Sequence, residues 1–88
     1  MTMTRALTIQ RTTVTPPERE RFHEKSRRKQ AYYASANCRF WVFEEVGLQG
    51  AFLEFVEASD PQTLAKALAD APEQLLDPKR IYMEVELK

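Results

Sequence analysis

Two carboxylates invite a chemical reading. Glu54 and Glu84 stand in runs of alternating apolar and polar residues, and Trp41 and Tyr82 are the aromatic residues expected beside them. A carboxylate held in an apolar cavity resists ionisation and can serve as a general acid or base. Glu54 and Glu84 are therefore the candidate catalytic pair. Trp41, Phe43, Phe52, Tyr82, Thr8 and Gln10 are the candidate ligand-binding residues around them. The plainer alternative is a pair of hydrated carboxylates that meet Arg5 or Arg39.

Other chemistry finds little to work with. His23 and Cys38 are single copies on separate elements, so no Cys/His or Ser/His/Asp constellation can be assembled. One cysteine excludes an internal disulfide, and one histidine excludes the usual zinc sites. His23 reads as a solvated helix residue and Cys38 as a small buried apolar side chain. No metal site and no cofactor are expected.

The elements that must position these residues follow from spacing. The chain of 88 residues is read as one domain, 1–88. Residues 5–14 alternate Leu7 and Ile9 with Thr8 and Gln10, a first strand. Thr15-Pro16-Pro17-Glu18 has the form of a capping box with prolines in the first turn. The helix it opens runs to about Ala36, with a thin apolar stripe of Phe22, Ser26, Tyr33 and Ala36, and Asn37 is its stop. Cys38–Glu45 and Gly50–Ala58 are aromatic and β-branched runs around a loop with Gly47 and Gly50, a hairpin. Asp60-Pro61 starts a second helix that buries Leu64, Ala67, Leu68 and Ala71 and ends at Pro72. Pro72-Glu73-Gln74-Leu75-Leu76 suggests a further short turn, and Asp77-Pro78 another. Ile81–Leu87 alternates as a fourth strand.

The order β-α-β-β-α-β is the split βαβ of a ferredoxin-like α+β fold, with both helices on one face of a four-stranded antiparallel sheet. Right-handed crossovers place strands 1 and 3 in the middle. Taking the alternation of strand 4 as the guide, the helix-side face is expected to hold Leu7, Ile9, Phe40, Val42, Ala51, Leu53, Phe55, Ile81, Met83 and Val85. The opposite face then holds Thr8, Gln10, Trp41, Phe43, Phe52, Glu54, Val56, Tyr82, Glu84 and Glu86. Full burial of Trp41, Phe43 and Phe52 would stabilise by roughly 1.5–3 kcal/mol each. A second copy stacked on that face would realise this gain twice and enclose the carboxylates, so a homodimer is expected.

Ala51-Phe52-Leu53-Glu54-Phe55-Val56-Glu57-Ala58, leading to Asp60 and Leu64, resembles the third strand and second helix of the dimeric α+β barrel superfamily. That superfamily includes the antibiotic-biosynthesis-monooxygenase-like and stress-responsive barrel proteins. The resemblance implies a small dimeric barrel that holds an apolar or aromatic compound between its sheets, with cofactor-independent oxygenase or isomerase activity among its chemistries. Oxygenase members carry a tryptophan late in that strand and a histidine in the next helix. This chain has Phe55 and Val56, then Ala67 and Leu68, at those places, which favours a non-catalytic binding or structural dimer.

Charge sharpens the alternatives. Net charge is zero, yet residues 1–39 carry nine basic against three acidic side chains and residues 40–88 four against ten. An RNA-recognition motif shares the element order and the Ala51-Phe52-Leu53-Glu54-Phe55 pattern. Glu54, Glu84 and Glu86 would make its platform acidic, and strand 1 offers no stacking ring, which argues against nucleic acid as a partner. The longest apolar runs fall far short of a membrane helix, and Met1–Arg5 has no apolar signal core, so a cytoplasmic location is expected.

Overall fold

The structure is a computed structural model that describes residues 4–72 and 80–87. It contains β1 (Ala6–Thr13), a 3-10 turn (Pro16–Glu18), α1 (Arg19–Ser35), β2 (Cys38–Glu44), β3 (Ala51–Ala58), α2 (Pro61–Asp70) and β4 (Tyr82–Met83). All strand pairs are antiparallel, in the order β2-β3-β1-β4. This is the ferredoxin-like arrangement, with the first and third strands central.

Local chemistry explains the joints. The capping box does not form: Thr15 makes no side-chain cap, and the Glu18 N–H donates instead to the Thr15 carbonyl at 2.9 Å. Pro16 and Pro17 fix φ and hold this entry as a tight 3-10 turn, so α1 begins only at Arg19. Asn37 ends the α1 turn at φ 63°, a left-handed position that asparagine tolerates. The Asp60 carboxylate accepts from the Thr63 N–H at 2.8 Å, and the Thr63 hydroxyl donates to its other oxygen at 2.9 Å. These bonds cap α2 and hold the Asp60 carboxyl below the usual range.

Two clusters fill the space between sheet and helices. The larger joins Ala6, Tyr33, Cys38, Phe40, Val56, Ala58, Leu64, Ala67 and Leu68, with Ile81 against it. The smaller joins Val14, Phe22 and Phe52, whose Phe22 and Phe52 rings lie 4.5 Å apart.

The expected face assignment holds for β2 and is reversed in β1 and β3. Phe40 and Val42 lie beneath the helices, while Trp41 and Phe43 face out. In β1, however, Ala6 and Thr8 are buried and Ile9 is exposed. In β3, Phe52, Glu54 and Val56 are buried on the helix side, so Ala51, Leu53 and Phe55 belong to the other face. The register shows why. Phe40 pairs with Val56, Thr8 with Val56 and Ala6 with Ala58. Ala58 must turn inward where the chain enters α2, and alternation carries Val56, Glu54 and Phe52 with it. Strand 4 is also shorter than its pattern suggests: only Tyr82 and Met83 pair with β1, and Met83, Val85 and Leu87 are exposed rather than buried. The turns anticipated at 72–76, beyond Pro72, and at Asp77-Pro78 lie outside the described residues. No helix among the described residues is long and apolar enough to cross a membrane.

Candidate functional site

The uncovered face of the sheet is the most distinctive surface of the molecule. Its first row is Trp41, Phe55 and Ile9 across β2, β3 and β1. The second is Phe43, Leu53 and Arg11. The third is Arg39, Glu57, Leu7 and Tyr82. Trp41 is 42% exposed, Phe43 56% and Ile9 43%. Phe43 stands edge-on to Phe55 at 5.5 Å between ring centres. Apolar side chains exposed together on one face are a setting in which proteins meet ligands or partners.

The charged end of this face is self-paired. Glu57 is buried beneath two guanidinium groups, with Arg39 at 2.7 Å and Arg5 at 3.2 Å. Its Oε1 is buried and takes no directed hydrogen bond, so Arg39 neutralises it by charge alone. Arg5 also donates to Glu84 at 2.8 Å. Both carboxylates hold the Arg5 guanidinium above its ordinary pKa, the Glu84 hydrogen bond most of all.

Glu54 belongs to the opposite side. Its carboxylate is 2% exposed and accepts from Lys29 of α1 at 2.9 Å and from the Thr12 hydroxyl at 2.9 Å. Lys29 falls seven residues after Phe22 and four before Tyr33, on the buried stripe of α1. The expected approach of Glu54 to Glu84 across one face therefore does not occur; they lie on opposite faces, each with its own cation. Thr8, Gln10 and Phe52 likewise sit with Glu54 on the helix side. The Thr8 hydroxyl donates to the Arg80 carbonyl at 2.8 Å, and Phe52 packs on Phe22. Of the residues selected from sequence, Trp41, Phe43, Tyr82 and Glu84 share the open face.

A third ion pair fixes the hairpin to α1. Arg19 grips Glu44 through two bonds of 2.7 Å, and the Gly50 N–H donates to the same carboxylate at 2.9 Å. The Arg19 guanidinium and then that amide lower the Glu44 pKa to about 2. Arg19 also lies 5.4 Å over the Phe52 ring. Cys38 is buried in the larger cluster, where desolvation pushes its thiol up, and the exposed His23 stands edge-on to Phe52 in the smaller one. The two do not meet. Among the described residues no group of three His, Cys, Asp or Glu side chains is placed to hold a metal ion.

Sequence reasoning missed Lys29, Arg19, Glu57 and Arg11. Lys29 alone left a signal, a cation at core spacing. Arg11 is exposed on β1, opposite Leu53, and forms no ion pair or hydrogen bond among the described residues. A shallow cleft of about 140 Å³ beside it is lined by Phe43, Leu53, Ala51, Phe52, Glu44 and Glu45.

Comparison with known proteins adds no identity: no protein-family model, no curated protein and no solved structure matches the chain.

Proposed function

We propose that the protein is a homodimeric binding module. Two copies close on each other through the open sheet face and hold a small apolar or aromatic compound between them. The observation that carries this reading is the row of Trp41, Phe55 and Ile9 beside Phe43 and Leu53, left uncovered by either helix. Burial of such side chains stabilises by roughly 1.5–3 kcal/mol each, and a two-fold axis doubles the sum. The likeness of β3 and α2 to the dimeric α+β barrel superfamily supports the same mode of pairing. Binding is favoured over acid-base turnover because Glu54 is committed to Lys29 beneath α1 and Glu84 to Arg5.

The test is light scattering at micromolar concentration. The expected result is twice the 10.3 kDa chain mass for the wild type and a single chain for Phe43→Asp, with the circular dichroism of the variant unchanged. A wild-type monomer, or a Phe43→Asp dimer, removes the proposal.

A further inference from the structure

Resting on that reading of the open face, we infer that the compound held there is an anion: a flat aromatic acid whose carboxylate meets Arg11 and whose ring lies against Leu53, Phe55 and Phe43. The cations near this face are not equivalent. Arg5 and Arg39 share Glu57, and Arg5 also holds Glu84. Arg11 alone stands within the apolar rows with no anion among the described residues. Its neighbours in the register are Leu53 directly opposite and Phe43 one strand further. Ile9 and Phe55 occupy the next row. Of the two carboxylates at the cleft beside it, Glu44 is taken by Arg19 and Gly50, and Glu45 forms no pair with Arg11.

A second copy placed over this face would take Arg11 out of water. A guanidinium moved into such a setting demands a counter-charge, and a planar carboxylate answers its fork with two parallel bonds. Aromatic side chains at 5.5 Å edge-to-face provide the apolar remainder of the slot. A neutral hydrocarbon would leave the cation unanswered.

The experiment compares two probes of one shape, 2-naphthoate and 2-naphthamide, by calorimetry on the full chain, with light scattering run in parallel. The wild-type dimer is expected to bind the acid about tenfold or more tightly than the amide, the discrimination typical of one charge-assisted pair. Arg11→Gln should remove that preference while leaving the dimer in place, and Arg11→Lys should restore part of it. Equal binding of both probes by the wild-type dimer overturns the inference and leaves the dimer intact. So does a preference that survives in Arg11→Gln, or a dimer that binds neither probe. A monomeric wild type instead removes the reading beneath it.

Discussion

At the scale of single residues, the interior of this protein contains an ion pair where the sequence pattern promised an apolar strand. Lys29 and Glu54 are 12% and 2% exposed in their side chains, and Thr12 completes the carboxylate's bonding. Breaking such a pair strands a charge, whereas replacing the whole set with apolar groups of similar volume does not. Lys29→Met is therefore expected to cost about 3–5 kcal/mol in urea unfolding. The triple variant Lys29→Met, Glu54→Leu, Thr12→Val should cost far less than the single one. A single change no worse than the triple would refute the account. Glu44 makes a separate prediction. Its pKa is depressed to about 2 by Arg19 and the Gly50 amide, against an ordinary value of 4.5. A carboxylate lowered on folding contributes stability above its unfolded pKa and loses it as pH falls through the folded one. The melting temperature should thus decline from about pH 4.5 towards pH 2, and Glu44→Gln should flatten part of that slope. Parallel pH profiles for the two proteins would exclude this role.

At the scale of elements, the hairpin joint is the most demanding point of the backbone. Gly47 and Gly50 both adopt φ 88°. A Cβ on Gly47 meets nothing within 4 Å, but one on Gly50 would lie 2.3 Å from the Val14 carbonyl oxygen. Val14 and Gly50 are also bonded at 2.8 Å, at the end of the β1–β3 ladder. Gly47→Ala should cost about 1–2 kcal/mol, the penalty of a left-handed residue. Gly50→Ala should cost clearly more, because the backbone pairing must open as well. Thermal melts of the two variants, with equal losses, would contradict this ranking. Elements were also what the sequence told best. Proline and asparagine punctuation at Pro16, Asn37 and Pro61 placed both helices, and glycine placed the hairpin. The faces of β1 and β3 were not legible. Both sides of β3 carry large apolar residues, so alternation there has no preferred phase. The phase is set by distant partners: Phe22 for Phe52, Lys29 for Glu54, and α2 for Ala58. Strand 4 misled in the opposite way, since its clean alternation continues well past the two residues that pair.

At the scale of the whole molecule, the segregation of charge along the chain is met in part within the fold. The basic first part meets the acidic second part as Lys29–Glu54, Arg19–Glu44, Arg39–Glu57 and Arg5–Glu57. Arg5, Arg19, Lys29 and Arg39 are thereby paired at home, so part of the basic excess of residues 1–39 is answered within the fold. The apolar surface is not. Trp41 is the sole tryptophan and lies in its first row, on the edge strand β2, so the proposed pairing carries its own optical reporter. Its emission should move to the red as a concentrated sample is diluted into single chains, and Phe43→Asp should show the red spectrum throughout. A spectrum indifferent to dilution in a sample seen by scattering to dissociate would count against pairing through this face.

The placement of Glu54, Thr8 and Thr12 beneath the helices, with Trp41 and Phe43 outside, bears on how this chain tolerates change. Hydrophobic-to-polar exchanges on the outer side would spare the fold of one copy and tax only the proposed pairing. Single polar-to-hydrophobic exchanges within, each of which strands a buried partner, would be the dangerous ones. A map of harmful substitutions would thus mark Glu54 and Lys29 together with Phe40, Phe52 and Val56, and pass lightly over Trp41 and Phe43 wherever folding alone is scored.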